Sequence, residues 1–338
     1  MNLEHNVSLL PFNTFGIHVN ADQFVRFESV SELQLLIARD EIIQNPILVL
    51  GGGSNILLTA DFKGTVLKNE IKGIECFFED EEHVLVKVGA GEVWHEFVLH
   101  CLDYGWCGVE NLALIPGSVG ASPMQNIGAY GVEIQQVFHE ADAVSLEDGK
   151  VHTFSREDCQ FGYRESIFKH ELKGKMIITH VVFSLRKKPE LKTTYGAIQE
   201  ELNRSGITDP GIRDVAEAVM RIRKSKLPDP AMLGNAGSFF KNPEIDLKDF
   251  EVLKKVYPDM VGYELPGFKV KLAAGWMIEK AGWKGVRYGD AGCHEKQALV
   301  LVNHGKATGS EIYQLSEEII SSVHKKFGVL LHREVNIY

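Results

Sequence analysis

The sequence feature that most limits how this chain can fold is a short apolar run that ends in three consecutive glycines. The run is PILVL, residues 46–50, and the residues that follow it are Gly51, Gly52, Gly53, Ser54 and Asn55. An apolar run bounded by a glycine turn is typical of a buried strand. Because glycine lacks a Cβ atom, successive backbone N–H groups can turn toward one anion and approach it closely. We therefore predict a strand that leads into a phosphate-binding loop.

A second glycine loop, IPGSVGA at residues 115–121, has the same character, and the hydroxyl of Ser118 adds a hydrogen-bond donor. Gly128 follows in QNIGAYG, residues 125–131, whose small residues suit close passage along a flat ring system. Taken singly, each loop is more simply a tight turn between strands. Together they favour a pyrophosphate held by loops. Neither matches the Rossmann fingerprint or the P-loop, so those two nucleotide folds are not indicated.

The first two thirds of the chain are rich in strand and glycine-turn signals. Asp148-Gly149 separates two strand-like runs and predicts a hairpin. The further predicted elements are strands at 84–88 and 176–185 and helices near 31–39 and 92–104.

The pattern changes after Asp209-Pro210, which predict the start of a helix over 210–224. Thr308 and Glu311 form a capping box at the start of a second helix, which Gly328 ends. Residues 298–303 predict a strand, and 328–338 predict a closing strand that returns to the first part of the chain. We place a boundary near 226–230, with a second α/β unit from there to about residue 326.

Composition excludes several classes of protein. The chain has 338 residues, which predicts two or three domains, and its net charge of −10 argues against a nucleic-acid binder. The start of the chain lacks the pattern of a signal peptide, and no apolar window is long enough for a membrane helix. Five scattered cysteines without a C-x-x-C pair indicate reduced thiols, and the histidines show no metal-ligand spacing. We expect a cytoplasmic protein with no membrane partner and no metal.

Segments spread along nearly the whole chain resemble the UDP-N-acetylenolpyruvoylglucosamine reductase family. The most specific are ENLALIPGSVGASPMQNIGAYGVE (110–133) and GNAGSFFKNP (234–243). Tyr195, in TTYG, is similar to the extra tyrosine loop of the longer subtype. The other matching segments are PFNTFGI (11–17), LGGGSN (50–55), GAGEVWHEFV (89–98), FGYRESIFK (161–169), KLPDP (226–230), KLAAGWMIEK (271–280) and HEKQALVLVN (294–303).

The resemblance implies an α+β fold with the loop-type FAD-binding architecture of vanillyl-alcohol oxidases. Two subdomains would bind FAD, and a C-terminal α/β domain would bind the substrate. The implied boundaries are 1–69 with 327–338 for subdomain 1, 70–226 for subdomain 2, and 227–326 for the substrate domain.

The resemblance also implies the reaction. An enzyme of this family uses NADPH and non-covalently bound FAD to reduce the enolpyruvyl double bond of UDP-N-acetylglucosamine-enolpyruvate. The product, UDP-N-acetylmuramate, is used for peptidoglycan synthesis. The enzyme thereby contributes to cell shape and cell division. Hydride passes from NADPH to flavin N5 and then to the substrate. We expect a monomer.

Three catalytic residues carry over from the resemblance. Ser238 matches the proton donor, and Arg164 matches an arginine whose guanidinium fork suits the substrate carboxylate. Glu334 matches a catalytic glutamate, which either is protonated and donates a hydrogen bond or orients one of the other two. Considered alone, each residue has a more ordinary role: a cap for Ser238, and a surface charge for the others.

Cofactor and substrate contacts carry over in the same way. The cofactor residues are Gly51, Gly52, Gly53, Ser54, Asn55, Ser118, Gly128 and Arg223. The substrate residues are Tyr195, Lys226, Asn242, Tyr263, Lys284 and Gln297. One departure from the family pattern is Asn336, where the resemblance implies an arginine that contacts the flavin in many members.

Two alternatives stay open at this level. One is an FAD-dependent alcohol oxidase of the same fold, which would not need the GNAGSFFKNP segment. The other is a non-catalytic nucleotide-sugar-binding protein, which would be colourless when purified.

Overall fold

The computed structural model describes residues 2–338, and the chain divides into two compact units. Unit 1 comprises the chain up to Val7 with Ala21–Gly52 and Lys63–Ser225; unit 2 comprises Ser8–Asn20, Gly53–Phe62 and Lys226–Tyr338. The finer division into three domains stays a prediction.

Unit 1 contains two main sheets. A few of its strands have one terminal residue that is assigned to unit 2. The strands are β1 Glu4–Ser8, β2 Asn20–Phe27, β3 Ile47–Leu50, β5 Phe62–Asn69, β6 Ile74–Glu79, β7 His83–Gly89, β8 Gly128–Ala129, β9 Val132–Glu133, β10 Phe138–Ser145, β11 Val151–Ser155 and β12 Met176–Arg186. Its helices are α1 Val30–Ile37, α2 Asp40–Ile43, α3 Trp94–Tyr104, α4 Ile198–Arg204 and α5 Ile212–Lys226. Short 3-10 turns connect several of these elements.

The two sheets of unit 1 contain the predicted strands. One sheet has the order β1-β2-β5-β3, with β3 parallel to β5, and the other has the antiparallel order β11-β10-β12-β7-β6. The predicted hairpin is confirmed, since Val144 pairs with Val151 across a turn in which Gly149 has φ +69°. Buried side chains of the second sheet pack with α3 and α5 into the larger core of this unit.

Unit 2 has its own core and three small sheets. Its strands are β4 Ile56–Leu57, β13 Gly234–Ser238, β14 Glu244–Asp246, β15 Gly262–Leu265, β16 Lys269–Leu272, β17 Arg287–Tyr288, β18 Ala291–Cys293, β19 Val300–Asn303 and β20 Asn336–Ile337. Its helices are α6 Leu247–Val256, α7 Ala274–Lys280 and α8 Gly309–Phe327. The sheet orders are β13-β19-β18-β17, β14-β16-β15 and β20-β4. The core of unit 2 includes apolar residues of α7, α8 and β19.

Local signals set the ends of α8. The Thr308 side chain accepts a hydrogen bond from the Glu311 N–H, and the Glu311 carboxylate accepts one from the Thr308 N–H. Gly328 ends the helix in the left-handed conformation, with φ +71°. Both features are as predicted. None of the helices in residues 2–338 has the length and apolar character needed to cross a bilayer.

The start predicted for α5 is wrong by two residues. The helix begins at Ile212 rather than just after Asp209. The carboxylate of Asp214 accepts a hydrogen bond from the Gly211 N–H at 2.8 Å. This bond satisfies one of the free N–H groups at the helix end, so the first turn forms after Gly211 instead.

The prediction of one closing strand over 328–338 is wrong in extent. Only Asn336–Ile337 form a strand, which pairs in parallel with Ile56–Leu57 and so returns to an early part of the chain as predicted. The preceding residues pair with another segment: Lys241 N–H donates to His332, and Glu334 N–H donates to Phe239. The segment changes partner midway, which interrupts the regular ladder.

Candidate active site

In unit 1, Gly51 and Gly52 lie against the second glycine loop. A Cβ atom on Gly51 would lie 2.1 Å from Ser118 Oγ, and one on Gly52 would lie 3.0 Å from Gly117 Cα. Both separations are below normal van der Waals contact. The missing side chains therefore let two loops pack together, which the sequence argument, based on phosphate approach alone, did not anticipate.

The rest of the first loop belongs to unit 2. Gly53 has φ +62°, and a Cβ atom there would lie 1.9 Å from the carbonyl oxygen of Phe12. Only glycine fits this position. Ser54 is half-buried, and the side-chain amide of Asn55 donates to the carbonyl of Glu334 at 3.4 Å. This loop and the candidate catalytic glutamate are thus neighbours.

Arg164 lies beside the short hairpin of β8 and β9 in unit 1. Its Nη2 donates to the carbonyl oxygen of Gly128 at 2.8 Å, and a Cβ atom on Gly128 would lie 3.2 Å from Nη1. Arg164 itself has φ +57°, a conformation that is costly for a residue with a side chain. Strain of this kind concentrates at functional sites, so it favours a role for this guanidinium beyond packing.

Arg223, on α5, has a buried Nε atom with no hydrogen-bond partner among residues 2–338. Burial lowers the pKa of Arg223 below its ordinary value, and the nearby positive charge of Arg164 lowers the pKa further. The guanidinium still stays charged at neutral pH. Two neighbouring cations, one with an unused buried donor, provide an attractive position for an anionic group.

Tyr195 is half-exposed and lies over the same hairpin. A Cβ atom on Gly131 would lie 3.2 Å from Cβ of Tyr195. The segment is held by Asn111, whose Nδ2 donates to the carbonyls of Tyr130 at 3.0 Å and Lys192 at 2.8 Å. Sequence reasoning missed Asn111, because nothing in its local pattern indicates that it is fully buried and joins distant segments.

Ser238 and Glu334 lie on neighbouring backbone segments of unit 2. Ser238 ends β13, opposite Val300 of β19. The next residue, Phe239, accepts a hydrogen bond from the Glu334 N–H at 2.8 Å and donates its own N–H to Leu299 at 2.7 Å. A hydroxyl and a carboxyl group from distant parts of the chain are thereby brought into one region.

Two substrate candidates use part of their polarity within the protein. The Oδ1 atom of Asn242 accepts the Ala274 N–H at 2.9 Å, at the start of α7. The Oε1 atom of Gln297 accepts the Leu299 N–H at 3.4 Å. Each amide nitrogen is a separate donor, so both residues keep a group suited to a ligand.

The remaining substrate candidates lie on exposed parts of their elements. Lys284 pairs with Glu279 at 3.0 Å. Tyr263, on β15, is 47% exposed, and Lys226 is exposed at the end of α5. Their assignment to the substrate stays a prediction.

The residues of unit 1 fit FAD. Two closely packed glycine loops offer backbone N–H groups without side chains, which suits a pyrophosphate. The unpartnered Nε of Arg223 offers a donor beside the small residues of the hairpin. In the described part of the chain, no three His, Cys, Asp or Glu side chains lie close enough to hold a metal ion.

Comparison with known proteins agrees with this geometry. Residues 21–155 match the model of an FAD binding domain, and residues 229–338 match the model of the UDP-N-acetylenolpyruvoylglucosamine reductase C-terminal domain. The chain is 48% identical to the reductase of that name from Flavobacterium johnsoniae over 100% of both chains, and 49% identical to that of Chromobacterium violaceum over 97% of both. The crystal structure of the corresponding reductase from Thermus caldophilus superposes with a TM-score of 0.68 at 26% identity, covering 100% of this chain and 99% of that one.

The fold and the site thus define an FAD-dependent oxidoreductase whose FAD-binding region is joined to a specialised C-terminal domain. The chain belongs to the UDP-N-acetylenolpyruvoylglucosamine reductase family. The predicted fold class, the FAD cofactor and the oxidoreductase class are confirmed.

Proposed function

We propose that this enzyme uses NADPH to reduce the enolpyruvyl double bond of UDP-N-acetylglucosamine-enolpyruvate, which supplies UDP-N-acetylmuramate for peptidoglycan synthesis. Bound FAD supplies the hydride chemistry between NADPH and the methylene carbon of the substrate. The transfer moves negative charge into the substrate carboxylate and leaves a proton to be added at the carbon that bears the ether oxygen. The protein must therefore hold a cation and a proton donor near that group.

Arg164 and Ser238 fill these two roles. Arg164, held by the carbonyl of Gly128, stabilises the charged carboxylate with its fixed guanidinium fork. The hydroxyl of Ser238 donates the proton; a serine suffices because the enediolate-like species is a strong base. Glu334 either donates a hydrogen bond in its protonated form or orients one of the other two residues.

The observation that carries this proposal is the pairing of the Ser238 and Glu334 segments, with a Glu334 N–H to Phe239 oxygen distance of 2.8 Å. Asn242 and Gln297 each keep an amide donor for the sugar nucleotide. Lys226 and Lys284 would serve the UDP diphosphate, and Tyr195 and Tyr263 the uracil or a phosphate oxygen.

The proposal is tested by separating the two half-reactions in a stopped-flow spectrometer. In Ser238→Ala, NADPH should bleach the flavin at a near-normal rate, while reoxidation by the enolpyruvyl substrate should slow by about 10²–10⁴-fold. The control is Ser310→Ala. This variant removes an exposed hydroxyl of unit 2 that donates a hydrogen bond to the Thr59 carbonyl. Loss of the NADPH step instead would show that Ser238 has another role.

A further inference from the structure

Two polar side chains, Arg333 and Asn336, fix the segment that carries Glu334 from opposite sides. We propose that both are positioning residues for Glu334, a proposal that rests on the catalytic role given to Glu334 above. Neither residue needs to touch the substrate. Each acts by holding the backbone of the glutamate in one place.

The Arg333 side chain binds to one face of α8 through three contacts. Its Nε donates to Ser316 Oγ at 2.8 Å, its Nη2 bonds the carboxylate of Glu317, and its guanidinium lies 4.4 Å from the ring centre of Tyr313. Ser316 is fully buried, and the arginine side chain is only 19% exposed. Hydrogen bond, ion pair and ring contact together restrict the guanidinium far more than an exposed ion pair would.

The orientation of Arg333 determines that of its neighbour. Successive side chains of an extended segment point to opposite sides. Since Arg333 faces α8, Glu334 faces away from that helix. The Glu334 N–H is at the same time bonded to Phe239, the residue after Ser238. Loosening Arg333 would therefore let the carboxyl group of Glu334 shift relative to Ser238.

Asn336 connects the other side of the segment to the glycine loop through hydrogen bonds. Its side-chain Nδ2 and its backbone N–H both donate to the carbonyl oxygen of Asn55, each at 3.1 Å. Asn55 returns a bond from its own side chain to the carbonyl of Glu334. The backbone around Glu334 is thus coupled to Gly53, Ser54 and Asn55, which we assign to FAD. Asn336 thus uses its side chain within the chain to fix this loop.

The first test replaces Arg333 by Met, which keeps the apolar stem, and by Lys, which keeps the charge but not the fork. With the flavin-loaded enzyme, NADPH should reduce the flavin at the normal rate. Reoxidation by the substrate should slow by up to about 10²-fold in Arg333→Met and by less in Arg333→Lys, because small displacements of a catalytic group are costly. The pH dependence of reoxidation should also shift, which a purely structural role would not cause.

The matched control is Arg287→Met. Arg287 also belongs to unit 2 and also uses Nε and Nη2 within the chain, donating to Gly289 at 2.6 Å and Asp290 at 2.7 Å. Equal slowing in Arg287→Met and Arg333→Met would overturn the proposal, as would normal reoxidation and an unchanged pH profile in Arg333→Met.

The second test is Asn336→Ala, measured first as the dissociation constant of FAD for the flavin-free protein. We expect FAD to bind several-fold more weakly, because the loop loses a side-chain hydrogen bond to the segment that carries Glu334. The matched control is Thr59→Val, which removes a side-chain bond of 2.8 Å to the carbonyl of Tyr338 between the same two segments. An FAD affinity equal to that of Thr59→Val would overturn the role of Asn336.

Glu334→Gln separates this proposal from the function on which it rests. If Glu334→Gln reoxidises normally with the substrate, the catalytic role of Glu334 fails and the positioning role fails with it. If Glu334→Gln is slow while Arg333→Met and Asn336→Ala match their controls, only the positioning role fails.

Discussion

Arg223 has a buried guanidinium nitrogen that no group in residues 2–338 satisfies. A buried donor without a partner costs about 1–3 kcal/mol, and more when it is charged. Buried polar groups without a partner are rare in folded proteins, so we predict that a ligand completes this one beside the adjacent hairpin of small residues. The same residue should therefore destabilise the flavin-free protein and strengthen its binding to an anion.

Arg223→Met should accordingly raise the free energy of unfolding of the flavin-free protein by about 1–3 kcal/mol and weaken FAD binding. Urea denaturation and flavin titration measure the two effects. The control on the same helix is Arg221→Met, because Arg221 Nε donates to Glu201 at 2.6 Å and its removal should be destabilising. Arg223 would have an ordinary packing role if both variants lost stability alike.

Glu110 is a buried carboxyl group, only 3% exposed, that the proposed reaction does not use. Burial raises its pKa above the ordinary value, although backbone N–H groups including that of Gly108 partly oppose the rise. A raised folded-state pKa contributes stability that is fully present below the unfolded-state value, about 4.3, and is lost as pH rises through the folded-state value.

Glu110→Gln keeps an oxygen for the Gly108 N–H and removes the titration. Its free energy of unfolding should fall less than that of the wild type as pH rises from about 4 to 7, a range that begins near the ordinary glutamate pKa. Urea denaturation across this range measures the difference, with Glu171→Gln, at an exposed position, as the control. Parallel curves for Glu110→Gln and the wild type would contradict the prediction.

Among the structural elements, the glycine loops show why glycine was selected for two different reasons. At Gly51 the obstacle to a side chain is the Oγ atom of Ser118, whereas at Gly53 it is the backbone carbonyl of Phe12 combined with a φ of +62°. A side-chain obstacle can be removed by a second substitution. A backbone obstacle cannot.

Gly51→Ala should lower the free energy of unfolding by about 1–3 kcal/mol, the usual cost of overpacking. Adding Ser118→Gly should restore most of that loss, although FAD affinity should stay low because the hydroxyl is gone. Gly53→Ala should be at least as damaging and should not respond to Ser118→Gly. Urea denaturation of Gly51→Ala and Gly53→Ala, each with and without Ser118→Gly, tests this prediction. Equal free energies of unfolding for Gly51→Ala with and without Ser118→Gly would refute it.

Elements with strong local signals were the most predictable from the sequence. The capping box of Thr308 and Glu311 and the C-terminal Gly328 define α8 within the helix itself, so no distant residue was needed. The predicted strands and helices of unit 1 lie within about two residues of their observed bounds, as the usual accuracy of boundaries allows. The start of α5 was predicted two residues too early because Asp214 caps the helix from inside its first turn.

For the whole molecule, the division into two units with separate cores determines how cofactor binding affects stability. Of the eight residues assigned to FAD, Gly51, Gly52, Ser118, Gly128 and Arg223 belong to unit 1, and the other three, Gly53, Ser54 and Asn55, belong to unit 2. A ligand that binds only the folded form stabilises it by about 2.7 kcal/mol at a free concentration 100 times its dissociation constant. Unit 1 should therefore gain stability with FAD.

Tryptophan fluorescence can follow unit 1 alone. Trp94 and Trp106 are buried in unit 1, and Trp276 and Trp283 belong to unit 2, so a Trp276→Phe, Trp283→Phe variant reports on unit 1. Its unfolding free energy should rise by about 2.7 kcal/mol when free FAD is 100 times the dissociation constant. The same variant with riboflavin, which lacks the pyrophosphate and adenosine, is the control. No shift with FAD would contradict the assignment of the glycine loops to the cofactor.

The amino-acid sequence by itself determined the positions of the glycine loops and the ends of helices such as α8, because these signals lie among residues only a few positions apart; the fold class came from the sequence through resemblance. The candidate residues Ser238, Arg164 and Glu334 were also available from the sequence, through resemblance. Only the tertiary structure decided which distant groups meet: the pairing of Glu334 with Phe239, the fastening of Arg333 to α8 and the unsatisfied Nε of Arg223. These contacts follow from burial and backbone pairing across the chain, for which no local pattern exists.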